Sequence, residues 1–243
     1  MLSLSDWLLT PPGRYLLDWE MRAVDRLVAD LFGYNAVQIG LPEVDFLRAN
    51  RMPFRFHADR LGKSAVVARN EALPFASASL DLVVLPHVLE FSSSPHRVLR
   101  EVERVLMPEG HVIICGFNPF SLWGLRRLAA GQRGGFPWRG QYLSAFRIKD
   151  WLTLLGFETQ ATVFGCYAPA VSSETWLARW HVLDRAGARW WPICGAVYLI
   201  HGIKRVHGMR LITPNWREKR AAAKRMAPIA QRGRSVTETR KTQ

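Results

Sequence analysis

Residues 73–117 read LPFASASLDLVVLPHVLEFSSSPHRVLREVERVLMPEGHVIICGF and contain, in order, a strand, a helix, a turn and a second strand. The near-continuous apolar run at 80–85 is typical of a strand buried on both faces of a parallel sheet. Apolar residues then recur at helical spacing over 95–106, and the turn at 108–110 ends that helix. Residues 111–117 form the second apolar strand. This stretch predicts half of a nucleotide-type α/β domain.

Outside this stretch, predicted helices and strands alternate along the chain. An amphipathic helix precedes the first strand, with its apolar face formed by Leu17, Met21, Val24, Val28 and Leu31. Further strands are predicted at 36–40, 54–57, 64–68, 157–164 and 196–205, and further helices at 118–128, 144–155 and 172–184. The alternation predicts a doubly wound, mostly parallel sheet. Its last two strands are expected to form an antiparallel hairpin.

The charge of the chain is concentrated near its C-terminus. The formal net charge is +13, and residues 204–243 hold 12 Lys or Arg against two Glu, a net +10. A segment of this composition is expected to be a largely disordered basic tail. Such a tail can contact nucleic acid or an anionic membrane surface weakly, or simply be solvated.

Composition places the chain as a whole in the globular class. Its 243 residues are 49% hydrophobic, which is enough for one substantial core. The three cysteines are far apart and fit a reducing compartment. No apolar run reaches the roughly 18 residues that a spanning helix needs. We therefore expect a cytoplasmic protein that is soluble or at most peripheral to the membrane.

Part of residues 73–117 is similar in sequence to a known enzyme family. Residues 86–90 read PHVLE, Pro95 follows, and residues 99–110 read LREVERVLMPEG. This resembles the class I S-adenosylmethionine-dependent methyltransferases, in particular the type 11 branch, which often carries His-Val-Leu-Glu-His and Leu-Arg-Glu-x-x-Arg-Val-Leu-Lys-Pro-Gly-Gly. The resemblance implies a seven-stranded Rossmann-like methyltransferase fold, S-adenosylmethionine as cofactor, and methyl transfer as the reaction.

The family's first strand ends in an acidic residue and a Gly-x-Gly loop that lets the backbone approach the cofactor. Here residues 37–43 read VQIGLPE, so Gln38 stands where the acid is expected and Gly40 is the glycine that remains. The family's second acid accepts hydrogen bonds from the ribose hydroxyls. Asp59 lies 19 residues after Gly40 and matches that position, close to the spacing of about 20 residues in dinucleotide folds.

The family often reads Gly-Asp-Ala-Glu-x-Leu-Pro-Phe before the fourth strand, where it meets the adenine. Residues 68–75 read ARNEALPF, with Arg69 in place of the family's Asp. The resemblance therefore assigns the adenine contact to Asn70 and Glu71, through their backbone or the Asn70 amide. Leu73 matches the family's pattern and is expected to line the same pocket.

The crevice beyond the fourth strand is where open α/β sheets bind ligands, and Pro86 and His87 lie there. His87 is the candidate general base, because the unperturbed pKa of histidine lies near neutrality. The alternative is a histidine that fixes the loop or lines the pocket. Two roles are open for Glu90: a polar contact, or a charge on the side of a helix. No cluster has the spacing of a metal site, so no metal is expected.

Three segments are predicted: an N-terminal helical cap at 1–33, a methyltransferase-like domain at 34–208, and the basic tail at 209–243. An aromatic, Gly-rich insertion at 119–143 contains Trp123, Phe136, Trp138 and Tyr142 together with arginines. It would suit an apolar or anionic substrate or a membrane surface, although such residues are also often core. The predicted function is S-adenosylmethionine-dependent methyl transfer to a small or lipid-like acceptor. The alternative is a catalytically degenerate fold that binds nucleic acid or membrane through its basic tail.

Overall fold

A single seven-stranded sheet organises the protein in the computed structural model, which describes residues 4–60, 62, 64–130, 135–170, 187 and 189–205. The strands are β1 Asn35–Ile39, β2 Phe54–Asp59, β3 Val66–Val67, β4 Leu80–Pro86, β5 Leu106–Phe117, β6 Phe157–Gly165 and β7 Val197–Lys204. Their order is β3-β2-β1-β4-β5-β7-β6. The first five strands pair in parallel, and β7 is antiparallel to both β5 and β6. The expected doubly wound sheet with a C-terminal antiparallel hairpin is confirmed.

Five α-helices occur in the described part of the chain. They are α1 Leu4–Leu8, α2 Pro11–Val28, α3 Pro95–Val105, α4 Leu122–Ala130 and α5 Ala145–Leu154. Before α2 and α5, the side chains of Thr10 and Ser144 accept hydrogen bonds from backbone N–H groups of the first turn, as N-caps do. Ser94 precedes α3, and its side chain makes no such bond. The helix predicted from residue 118 begins only at Leu122.

Two apolar layers cover the two faces of the sheet. One is formed by α1, α2 and the segment at 40–53, which contributes Phe46, Leu47 and Met52. The other is formed mainly by α3 and α5, through side chains such as Val98 and Ile148. Residues 1–206 form one compact unit, and α2 is part of its core. The position of α2 against the sheet brings its side chains close to the strand ends.

The connection between β1 and β2 contains no helix. All of residues 40–53 are described, and they form turns. Parallel strands are usually joined by a crossover helix, whose N-terminus can bind an anion. At the end of β1 that element is replaced by a loop, so the fold offers no helix N-terminus at this point.

The aromatic insertion is partly core. Trp123 and Tyr142 are buried; the Trp123 ring lies 5.8 Å from Trp7 and the Tyr142 ring 5.0 Å from Phe117, measured between centroids. The helix predicted at 172–184, residues 131–134 of the Gly-rich loop and the basic tail at 209–243 lie outside the described residues. No helix within the described part of the chain is long and apolar enough to cross a membrane.

Candidate functional site

Three loops converge at the carboxyl edge of the parallel strands. The loop after β1 reaches the loop after β4, because a Cβ added at Gly40 would lie 3.1 Å from Val88 Cγ2. The loop after β3 reaches the same region, where Ser92 Oγ donates to Glu71 Oε1 at 3.2 Å. Open α/β sheets bind their ligands at this edge. The residues expected to hold a cofactor are therefore brought to one side of the sheet.

The backbone at this edge adopts uncommon conformations. Gly40 has φ +83°, Leu41 has φ +46° and His87 has φ +53°. Only glycine enters the left-handed region without cost, and other residues there commonly belong to binding or catalytic sites. Two such non-glycine residues in facing loops mark this edge as the candidate site.

Gln38 holds the loop after β1 in place. Its side chain is fully buried; the amide nitrogen donates to the carbonyl oxygens of Leu41 at 2.9 Å and Val44 at 2.7 Å, and the amide oxygen accepts from Phe46 N–H at 2.9 Å. These bonds replace the ordering that a crossover helix would provide. The contact between Gln38 and a cofactor stays a prediction, and in this geometry its polar atoms serve the loop.

The expected ribose and adenine contacts lie at the outer end of the crevice. Asp59 ends β2 and is half-buried, and its carbonyl accepts from Ala68 N–H at 3.0 Å. Asn70 and Glu71 are half-buried in the turn that follows β3. Asp59 pairs in register with Val67 of the neighbouring strand β3, and Asn70 and Glu71 follow that strand. Their roles as ligands stay predictions.

Leu73 and Pro86 are both buried, so they lie on the core side of the candidate site. The N–H of Leu73 donates to Glu101 Oε2 at 3.1 Å, and its carbonyl accepts from Arg104 at 3.0 Å. Pro86 closes β4, and its carbonyl oxygen would lie 4.0 Å from a Cβ added at Gly40. Contact of either residue with a cofactor remains untested.

His87 sits between two buried carboxylates. Its Nε2 lies 2.9 Å from Glu20 Oε1, and its Nδ1 lies 3.1 Å from Glu90 Oε1. The side chains of Glu20 and Glu90 are 1% exposed and that of His87 is 0% exposed. Glu90 Oε1 also accepts from Phe117 N–H at 2.7 Å. We call these three residues the Glu20–His87–Glu90 triad.

The triad is charged at neutral pH. Burial alone would lower the pKa of His87, but the carboxylates of Glu20 and Glu90 outweigh it and raise that pKa to about 10. Within the described part of the chain, Glu20 Oε2, Glu90 Oε2 and Tyr142 OH are buried without a hydrogen-bond partner. Such atoms are costly unless something pairs with them.

Sequence reasoning missed Glu20. This residue lies on α2, one helical turn from Leu16 and from Val24, both of which are fully buried. A carboxylate in the middle of an apolar helical face is the signal that would have found it, because Glu is almost never fully buried without a partner. The partner, His87, is distant in sequence. The described residues contain no group of three or more His, Cys, Asp or Glu side chains that could hold a metal.

Comparisons with known proteins find similarity to methyltransferases. A family model described as a methyltransferase domain matches residues 43–114. The chain is 41% identical over 110 residues to the uncharacterized protein YafS of Escherichia coli, which covers 45% of this chain and 42% of that protein. It is 35% identical over 94 residues to a malonyl-[acyl-carrier protein] O-methyltransferase of Laribacter hongkongensis, which covers 39% of this chain and 31% of that protein. The chain thus spans less than half the length of each of these relatives.

The fold is shared with solved structures. A SAM-dependent methyltransferase from Thermotoga maritima superposes with a TM-score of 0.55 at 19% identity, over 79% of this chain and 97% of that one. At this identity the likeness concerns the fold. Taken with the family model over residues 43–114 and the sheet order, it shows that the chain has the Rossmann-like fold of the S-adenosylmethionine-dependent methyltransferases and contains a stretch similar to their methyltransferase domain.

Proposed function

We propose that the protein binds S-adenosylmethionine at the carboxyl edge of β1 to β4 and transfers a methyl group to a small or lipid-like acceptor. The observation that carries this proposal is the meeting of the Gly40 loop, Asp59 and the Glu20–His87–Glu90 triad at one edge of a methyltransferase-type sheet. Each part matches a different portion of the cofactor in charge or hydrogen bonding.

The residues present fit the cofactor's charge. S-adenosylmethionine carries ribose hydroxyls, an ammonium group and a sulfonium, and when bound it supplies an activated methyl group. Asp59 provides a carboxylate for the hydroxyls. The carboxyl groups of Glu20 and Glu90 lie behind this edge, each with its side chain 1% exposed. We infer that they favour the cationic part of a bound cofactor electrostatically and not by direct contact.

The other residues define the shape of the site. Gly40 keeps the β1 loop free of a side chain where the cofactor must approach closely. Asn70 and Glu71 offer backbone and side-chain groups for the adenine, and Leu73 and Pro86 support the pocket from the core. Gln38 keeps the loop ordered in the absence of a crossover helix. Catalysis would then rest largely on holding the acceptor and the methyl group in line.

His87 is better suited to position than to accept a proton. A group with a pKa of about 10 is protonated at neutral pH, and both of its ring nitrogens face carboxylates. The general-base role stays a prediction that this conformation disfavours. We propose that His87 fixes the β4 loop and α2 relative to each other, which is the alternative drawn from the sequence.

This role for His87 restricts the chemical class of the methyl acceptor. Without a histidine base at the crevice, the most suitable nucleophile is one that is already deprotonated at neutral pH, such as a carboxylate. The Laribacter relative is a malonyl-[acyl-carrier protein] O-methyltransferase, by its name an O-methyltransferase of an acyl chain. We therefore propose a carboxylate carried by an acyl or other small apolar group as the acceptor.

The experiment is transfer of the tritium-labelled methyl group from S-adenosylmethionine to a series of dicarboxylic acyl thioesters, compared with their amine and hydroxyl counterparts. We expect labelled ester from the carboxylates and a loss of roughly 10²-fold or more in the Asp59→Ala variant, mainly through weaker cofactor binding. Glu158→Ala, an exposed carboxylate on β6, is the matched control and should retain activity. Labelling of amines or alcohols in preference to carboxylates would contradict the acceptor class.

A second function is favoured by one feature of the site. The loop after β1 lacks both the acidic residue and the helix that the family uses, and Gln38 is committed to that loop. A catalytically degenerate binding module, contacting nucleic acid or membrane through its basic tail, would tolerate these changes. Binding of S-adenosylmethionine without transfer to any acceptor, or no binding at all, is the result that would favour it.

A further inference from the structure

A large apolar surface is exposed around the start of α4 and the segment before β7. Seven of the 17 exposed large apolar residues in the described part of the chain lie here, each between 49% and 71% exposed. They are Phe120, Leu122, Leu125, Leu128, Trp190, Trp191 and Ile193. We call this surface the Leu–Trp patch. Soluble proteins rarely expose apolar groups in such a cluster unless they bind something.

The two halves of the patch are held together by hydrogen bonds. Asn118 Nδ2 donates to the carbonyl oxygens of Ile193 at 2.7 Å and Gly195 at 2.9 Å. A groove of about 390 Å³ lies between them, lined by Phe120 and Leu122 on one side and Trp191 on the other. The patch is therefore continuous across two segments that are distant in sequence.

The helix α4 is built to present this surface. Trp123 is 1% exposed and anchors α4 in the core. Leu122, Leu125 and Leu128 recur every three residues and stay exposed on the outer side. Helical side chains at this spacing lie along one flank. Within the described part of the chain these leucines stay more than half exposed.

The stretches of sequence that carry the patch are almost free of acidic residues. No Asp or Glu occurs between Glu109 and Asp150 or between Asp184 and Gln243 except Glu218 and Glu238. Arg126 stacks over Trp138 at 5.0 Å and Arg127 over Tyr142 at 5.1 Å, measured to the ring centroids. Aromatic partners do not neutralise a guanidinium. The patch is thus apolar with a positive border.

We propose that the Leu–Trp patch docks on an anionic lipid bilayer. An exposed apolar face flanked by arginines is the pattern of interfacial membrane binding. Tryptophan side chains such as Trp190 and Trp191 favour the membrane–water boundary, and the negative surface potential of anionic leaflets attracts the arginines. The groove would admit part of an acyl chain. The proposal does not depend on methyl transfer.

The test is flotation of the full chain with vesicles of phosphatidylcholine, with and without phosphatidylglycerol. Wild type should float with the mixed vesicles. The double variants Leu125→Ser/Leu128→Ser and Trp190→Ala/Trp191→Ala should each lower the partition coefficient by roughly 10- to 100-fold. Leu154→Ser removes a leucine that is 78% exposed on α5, outside the patch, and should leave partitioning unchanged. A melting curve for each variant identifies any that fails to fold.

Salt distinguishes vesicle binding through the patch from vesicle binding through the basic tail, because salt screens charge and leaves apolar insertion in place. At high salt the difference between wild type and the two double variants should persist. Equal flotation of wild type and both variants at every salt concentration would overturn the proposal. A wild-type dimer in solution that both double variants convert to a monomer, without any flotation, would assign the patch to self-association and would also overturn it.

Discussion

The Glu20–His87–Glu90 triad predicts a specific dependence of stability on pH. The pKa of His87 in the fold, about 10, lies above its ordinary value of 6.5. The stabilisation from its imidazolium is therefore complete below pH 6.5 and is lost as the pH rises toward 10. Raising the pH from about 6.5 to about 8.5 should cost about 2 kcal/mol of unfolding free energy. For a domain of this size that is a fall in melting temperature of roughly 4–8 °C.

The perturbation is Glu20→Gln, which removes the carboxylate 2.9 Å from His87 Nε2 and nearly keeps the side-chain volume. At about pH 6.5 we expect a loss of about 3 kcal/mol, the lower end of the range for breaking a buried pair, because Glu90 remains as a partner. The pH dependence between about 6.5 and 8.5 should fall to roughly half, since one of the two charges that raise the pKa is gone.

The assay is thermal unfolding followed by circular dichroism across this pH range. Burial lowers the pKa of His111 and that of His201, the latter to about 4, so their effect on stability has the opposite sign to that of His87 and cannot mimic it. Glu158→Gln is the matched control, because its side chain is 56% exposed and pairs with Arg205. A Glu20→Gln variant with the wild-type melting temperature and the wild-type pH slope would refute the charged triad.

Two further variants test the loop after β1. Gln38→Glu restores the family's acid. It should destabilise the fold by about 3 kcal/mol, because a carboxylate would face the carbonyl oxygens that the amide now bonds. Chemical denaturation measures this loss, and the exposed control Gln160→Glu should be near neutral. Gly40→Ala and Gly156→Ala share φ values of +83° and +82°, so each should cost about 1–2 kcal/mol. Only Gly40→Ala should also weaken cofactor binding in calorimetry, and equal affinities would exclude Gly40 from the site.

The fold was largely predictable because its signals are local. The apolar run of β4, the helical spacing in α3 and the Ser144 cap of α5 are each contained in a short window, and the structure has all three elements. The hairpin of β6 and β7 also followed from two adjacent strand patterns. The boundary between α3 and β5 was less clear, since Leu106 fits the helical spacing but already belongs to the strand.

The site was only partly predictable because its key contacts join distant segments. The sequence marked Gly40, Asp59 and His87 as residues of one sheet edge, and the structure places them there. It could not show that Glu20 of α2 reaches His87, since the contact depends on how α2 packs on the sheet. Nor could it show that Gln38 uses both ends of its amide to order a helix-free loop.

Cofactor binding is tested most directly by titration calorimetry of the full chain with S-adenosylmethionine and with S-adenosylhomocysteine, which lacks the methyl group and the sulfonium charge. We predict saturable binding of both, with S-adenosylmethionine several-fold tighter because the carboxyl groups of Glu20 and Glu90 favour the cation. The preference should shrink in Glu20→Gln. Absence of binding of either compound at millimolar concentration would contradict the proposed cofactor site.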